Sequence, residues 1–177
     1  MANKVLPAPP EVMEPGGSQG LTCWAAALAS FMSVNPKAPA KYKGKSQTDL
    51  VEDMSWPEKF VEFFGLKKLI LENGALTKEG VKFMLLDSGM SIKVFPQVEK
   101  LSPSYLYSQM LKHGYLYLVL AYPGGVAHAV VVYGVINAFG NGWSLSVMDP
   151  WPDNGGLVQY SKADFGEFRQ ALVGWLE

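Results

Sequence analysis

Three apolar runs in the last third of the chain leave little choice of fold class. Residues 115–122, 128–136 and 143–149 are rich in β-branched and aromatic side chains, and Gly- or Pro-containing turns separate them. Together they predict three antiparallel strands. Helix patterns dominate the chain before about residue 100. The sequence therefore predicts an α+β protein with a helical first half and a sheet-rich second half.

The first helix is predicted where the Pro- and Gly-rich start of the chain ends. Thr22 is a candidate N-cap, and the Ala-rich run from Cys23 to about Val34 favours a helix that Pro36 ends. A further helix is expected over 102–114, with Ser102 as its cap, Pro103 in its first turn and Gly114 after its end. The remaining predicted elements are one or two helices over 46–66, a helix over 76–89, a strand over 91–95, and either a helix or a strand over 162–176.

The chain is expected to form a single domain behind an extended arm. Four prolines in residues 1–20 block a helix there, which predicts an extended N-terminal arm. Residues 21–177 are long enough for one domain or two small lobes that share a core. We place the helical lobe at about 21–100 and the sheet lobe at about 101–177.

Composition excludes several classes of function. Hydrophobic residues make up 49% and charged residues 18%, which is typical of a globular protein, and the net charge of −1 gives no electrostatic basis for nucleic-acid binding. One cysteine and two histidines make neither a disulfide nor a zinc site, so we expect no metal and no cofactor. The apolar stretches are too short to span a bilayer, and no signal peptide is visible. We therefore expect a soluble protein, either cytoplasmic or exported without a visible signal peptide.

The single cysteine, Cys23, lies at the predicted start of the first helix. A cysteine nucleophile must reach its thiolate form, because the thiolate is the reactive species. The free N–H groups at a helix N-terminus favour a negative charge by about 0.3–1 kcal/mol at an exposed site. The position suits a nucleophile, although a lone cysteine in an Ala-rich segment is more often a small buried side chain.

His128 and Asp149 are expected to meet in the predicted sheet. If Ile136 pairs with Trp143 in the hairpin, Val130 lies opposite Asp149, and His128 projects from the same face as Asp149. Such diagonal neighbours are about 7–8 Å apart at the backbone. A slip of one residue would put the two side chains on opposite faces. Taken alone, His128 fits a hydrogen-bonded residue at a strand end, and Asp149 fits a turn.

The order of these residues along the chain resembles that of the papain-like cysteine peptidases. "TCWAAAL" is similar to the Cys-Trp-Ala segment of that family, "HAVVVYGV" to its His-containing strand, and "VMDPWP" to the Asp-Pro ending of small bacterial members. The resemblance covers about residues 13–152. It is to the compact bacterial branch that includes plant-pathogen effector proteases and the peptidase domains of bacteriocin exporters.

The resemblance implies a papain-like fold with the active site in a cleft between the two lobes. Cys23 would be the nucleophile, His128 the general base and then acid, and Asp149 the residue that orients His128. Gln19 would complete the oxyanion hole with the backbone N–H of Cys23, although the family places its glutamine six residues before the cysteine and here the interval is four. Trp151 would shield the His128–Asp149 pair from water.

The function implied is cleavage of peptide bonds in a peptide or protein substrate, and the branch suggests a bacterial effector or toxin. The same three residues also suit an amidase, a deamidase or a transglutaminase-type acyl transferase. Two non-enzymatic hypotheses stand beside these: a catalytically inactive peptide-binding module on the same scaffold, and a structural domain in which Cys23 is simply buried. A further hypothesis puts residues 1–12 in the cleft as a short inhibitory arm. The sequence does not define an oligomeric state.

Overall fold

The structure is a computed structural model that describes residues 2–13, 22–53, 69, 75–124, 126–151, 153 and 155–177. Its helices are α1 (Cys23–Val34), α2 (47–53, where the description stops), α3 (Lys78–Asp87) and α4 (Pro103–His113). Its strands are β1 (Lys4–Val5), β2 (Ser91–Phe95), β3 (Leu116–Ala121), β4 (Ala127–Ile136), β5 (Ser144–Asp149), β6 (Gly156–Ser161) and β7 (Gln170–Trp175).

The strands form one antiparallel sheet. Six of them follow the order β2-β7-β3-β4-β5-β6, and β1 pairs with the end of β4 that extends beyond β3. The α+β class and the strands β2 to β5 are therefore confirmed. Strand β6 was not predicted, and the ambiguous closing segment forms a 3₁₀ turn followed by β7. The division into lobes at about residue 100 stays a prediction.

Helices α1 and α4 begin and end where the sequence predicts. In α4 the Ser102 hydroxyl accepts a hydrogen bond from the Tyr105 N–H, and Gly114 follows with φ 85°. This positive φ favours glycine and stops the helix. Thr22 precedes α1 as expected, but its side chain makes no cap. Its hydroxyl instead accepts a hydrogen bond from Gln47 Nε2 at 2.7 Å, which ties the start of α1 to α2.

Apolar side chains fill both faces of the sheet because successive strand residues point to opposite sides. One face packs against α1, α3 and the loop after α1, and the other face packs against α4 and the 3₁₀ turns. The first cluster includes Leu28, Phe31, Met32, Tyr117, Val131 and Met148. The second includes Leu106, Met110, Leu116, Leu118, Val130 and Val147.

Tyr117 fixes the first turn of α1 to the sheet. Its side chain is fully buried, and its hydroxyl donates to the Trp24 carbonyl at 2.8 Å. We expect Tyr117→Phe to lower the free energy of unfolding by about 1–2 kcal/mol, because a buried hydrogen bond is lost while the ring remains. Urea denaturation measures this. The matched control is Tyr115→Phe, which removes a solvent-exposed hydrogen bond to the Pro7 carbonyl. Equal losses in the two variants would contradict the assignment.

The N-terminal arm runs along the sheet and α1. Lys4 and Val5 pair with Val135 and Gly134, and the Pro10 carbonyl accepts a hydrogen bond from Ser30 Oγ at 2.7 Å. None of the described arm residues, 2–13, lines the cavity beside Cys23. The inhibitory-arm hypothesis stays a prediction.

Candidate active site

Cys23 is the first residue of α1 and lies at the end of the sheet where β4 begins. Its side chain is 7% exposed, and its sulfur lies 3.9 Å from the carbonyl oxygen of Ala127. Residues in the first turn of a helix have no intrahelical acceptor for their N–H groups. The sulfur thus lies beside the positive end of the α1 dipole.

His128 and Asp149 form a buried pair close to this helix end. His128 is the second residue of β4, Asp149 is the last residue of β5, and the His128 Nε2 to Asp149 Oδ1 distance is 2.6 Å. Both side chains are less than one-tenth exposed. A hydrogen bond with an ionised partner at this distance is a strong one.

A β-bulge brings the pair into register. At the turn, Ile136 pairs with Ser144, so the predicted pairing with Trp143 is wrong by one residue. The register shifts between Val132 and Gly134, after which Val131 pairs with Met148. Because Val131 pairs with Met148, the next residues along the two strands, Val130 and Asp149, lie opposite each other, as the sequence predicts. The extra residue on β4 therefore corrects the offset before the strands reach the site.

Three donors surround the carboxylate of Asp149. Oδ1 accepts from His128 and from the Trp151 N–H at 3.0 Å, and Oδ2 accepts from the Tyr160 hydroxyl at 2.6 Å. Burial raises the pKa of Asp149, but the hydrogen bonds from His128, Tyr160 and the Trp151 amide outweigh it and hold the pKa below its ordinary value. Asp149 is therefore ionised at neutral pH.

The ionised carboxylate and Cys23 act together on His128. Burial lowers the pKa of His128, but the hydrogen bond to Asp149 and the interaction with Cys23 reverse this and raise the pKa to about 9. The other ring nitrogen, Nδ1, is buried and has no hydrogen-bond partner by strict geometry among the described residues. Cys23 and His128 line the same cavity, so Cys23 is the thiol nearest in function to this free nitrogen among the described residues.

Trp151 lies against the pair, as the resemblance implies. Its ring centroid is 5.7 Å from that of His128, with the planes nearly perpendicular, and its side chain is 42% exposed. The indole thus lies between the imidazole and part of the solvent. Less water around the His128–Asp149 contact strengthens it.

A cavity of about 170 Å³ opens beside Cys23 and His128. Among the described residues that line it, none is Asp, Glu, Lys or Arg. The walls are apolar and are formed by residues that include Leu76, Val81, Met84, Val119, Val126 and Ala129. Away from Cys23 and His128, such a cavity suits an apolar side chain better than a charged one.

The structure brings together Cys23, His128 and Asp149. Gln19, the predicted oxyanion-hole donor, lies outside the described residues. Tyr160 was missed by sequence reasoning because it lies on β6, a strand that the sequence did not predict. The other histidine, His113, ends α4 and packs its ring on Trp175 at a centroid distance of 5.5 Å.

Comparisons with known proteins add little. No family model matches the sequence, and no curated protein matches it. Among solved structures, the chain is similar to a cysteine-to-alanine variant of a fragment of prointerpain A, a cysteine protease, from Prevotella intermedia. Sequence identity is 19% and the TM-score is 0.30, and the match covers 46% of this chain and 27% of that chain. A TM-score this low assigns neither a fold nor an activity.

Within the described residues, no helix combines the length and apolar character that a membrane crossing requires. The suggestion of an effector or toxin has no support from the comparisons.

Proposed function

We propose that this protein is a papain-like cysteine peptidase that cleaves peptide bonds through Cys23, His128 and Asp149. The observation that carries the proposal is the contact of His128 with Asp149 at one ring nitrogen, while the thiol of Cys23, at the start of a helix, lines the same cavity as His128. A structural histidine needs no such thiol partner, whereas a thiol nucleophile needs an adjacent base that a third group orients.

In the proposed reaction, Cys23 passes its proton to His128, and the sulfur attacks the substrate carbonyl carbon. Asp149 stabilises the imidazolium through Nε2, which leaves Nδ1 directed to the reacting atoms. Collapse of the tetrahedral intermediate breaks the C–N bond, and His128 gives its proton to the leaving amine. Water, deprotonated by His128, then hydrolyses the thioester, which releases the acid and restores the thiol. The N–H of Cys23 is a candidate donor to the oxyanion.

The apolar cavity supports a peptide substrate over a small charged one. A peptide offers the site an uncharged backbone and an apolar side chain, both of which the lining accepts without an unpaired charge. We therefore expect cleavage next to an apolar residue. The ammonium group of a free amino acid would find no Asp or Glu partner among the described lining residues.

Alkylation of Cys23 by iodoacetamide tests the proposal. Because the chain has a single cysteine, the label reports on this site alone. An imidazolium–thiolate pair should label rapidly at pH 6, where an ordinary thiol, with a pKa of about 8.5, is almost entirely protonated. The reference is the same protein in concentrated urea, whose Cys23 should react as an ordinary thiol.

Turnover of a peptide library, followed by mass spectrometry, completes the test. Rapid labelling with cleavage next to apolar residues supports the peptidase. Labelling that requires pH above 8 or unfolding would refute thiol catalysis altogether. Rapid labelling with no cleavage would refute the peptidase and leave the peptide-binding module or another acyl transfer.

A further inference from the structure

We propose that Tyr160 is a positioning residue of this site, which acts on His128 by holding the carboxylate of Asp149. The inference rests on the proposed function, since it assigns Tyr160 a part in the same thiol chemistry. Tyr160 lies on β6, the strand next to the one that carries Asp149. Tyr160 is not among the described residues that line the cavity beside Cys23, and its hydroxyl bonds to Asp149, so we expect its effect to pass through Asp149.

The hydrogen bond between Tyr160 and Asp149 does not follow from strand pairing, because the phenol reaches the carboxylate along the sheet. Tyr160 pairs with Leu145 while Asp149 pairs with Gly156, so the two residues are not direct partners. The Tyr160 hydroxyl nevertheless donates to Asp149 Oδ2 at 2.6 Å. The ring of Phe165 packs edge-on to the Tyr160 ring at a centroid distance of 6.1 Å, which helps to fix its direction.

The two oxygens of the Asp149 carboxylate accept hydrogen bonds from different donors. Oδ1 receives His128 and the Trp151 N–H, whereas the partner of Oδ2 is Tyr160. Asp149 is 7% exposed, so water cannot readily replace a lost donor. Without the phenol, the negative charge on Asp149 becomes less favourable and the carboxylate plane less constrained. A carboxylate that can turn away from Nε2 supports the His128 imidazolium less well.

The charges around Tyr160 keep it a donor. Burial and the hydrogen bond to Asp149 raise the pKa of Tyr160, and Asp164 and the phenol of Tyr122 add to their effect. On the other side, the groups that face His128 are Cys23 and Asp149. Tyr160 therefore stays protonated over the pH range in which His128 titrates. Glu167 lies near Tyr122 and adds a further negative charge at this end of the sheet.

Tyr160→Phe tests the inference, with the titration of His128 followed by NMR of the imidazole resonances. The chain has only two histidines, so His113 serves as an internal reference in the same sample. We expect the midpoint of His128 to fall by up to about one pH unit in Tyr160→Phe, because a carboxylate that can turn away from Nε2 makes a weaker hydrogen bond to the imidazolium. His113 should not move. Tyr115→Phe, which removes a phenol hydroxyl elsewhere, should leave both midpoints unchanged.

Asp149→Asn is the second variant, because it removes the charge itself. Its His128 midpoint should fall further than that of Tyr160→Phe. If Asp149→Asn shifts the midpoint and Tyr160→Phe does not, the positioning role is refuted while the proposed function survives. If the wild-type Cys23 fails to label at pH 6, the proposed function is refuted whatever the titration shows. A shift in His128 alone supports the inference.

Discussion

His128→Ala should lower the rate of peptide cleavage by about 10²–10⁴-fold, the usual range for loss of a general acid–base residue. The variant loses the group that takes the thiol proton and the group that protonates the leaving amine. It also loses the cation that stabilises a thiolate at Cys23, so iodoacetamide labelling at pH 6 should become slow. Steady-state cleavage of a peptide found in the library screen, measured as kcat/KM, gives the size of the effect.

His113→Ala is the matched control for this variant. It makes the same side-chain change in the same protein, but at the end of α4, where the ring packs on Trp175. Its kcat/KM should stay within about twofold of the wild-type value as long as the protein is folded, because surface or peripheral changes seldom alter the site. Equal losses in both variants would point to a general loss of structure, and near-wild-type activity of His128→Ala would exclude His128 from the chemistry.

The sequence predicts the elements that carry Cys23, His128 and Asp149 because local signals define them. Ala-rich sequence and a flanking proline bound α1, and runs of β-branched and apolar residues between turns bound β4 and β5. Whether His128 and Asp149 meet depends on the register of β4 and β5, and one glycine in β4 carries a local signal of the bulge. Gly134 lies inside β4, and a Cβ at this position would come within 2.8 Å of the Ser146 Cβ. A lone glycine within a strand is a sign of a bulge or a close backbone approach.

Strands β6 and β7 were harder to predict, for two different physical reasons. Strand β6 is an edge strand whose residues alternate between buried or half-buried and exposed, so it lacks the continuous apolar run of a central strand. Strand β7 lies between β2 and β3, whose residues are far away in the sequence. The sequence could therefore not connect Tyr160 with Asp149. The strand that carries Tyr160 was not predicted, and the pairing of β6 with β5 has no signature in the local sequence.

Asp149→Asn should move the alkaline limb of the pH–activity profile to lower pH. In the wild-type protein, burial lowers the pKa of His128, while the hydrogen bond to Asp149 and the interaction with Cys23 raise it to about 9. His128 must carry its proton to protonate the leaving amine. Activity should therefore persist as the pH rises through 7 and 8, and fall above about 9.

The amide that replaces the carboxylate in Asp149→Asn carries no charge to oppose burial, so the pKa of His128 should fall well below its wild-type value. His128 then loses its proton before the pH reaches the working range, and kcat/KM at pH 8 should drop by about 10²-fold or more. At pH 6 the loss should be smaller, because more of His128 keeps its proton. Profiles of kcat/KM from pH 5 to 10 measure both effects, with circular dichroism to verify folding at each pH.

The shape of the profile separates an electrostatic role of Asp149 from a purely structural one. A residue that only maintains the fold would lower activity by the same factor at every pH, whereas a residue that holds the charge of His128 moves the limb itself. A variant profile that is lower but parallel to the wild-type profile would show that Asp149 does not set the protonation of His128, and the proposed triad would lose its third member.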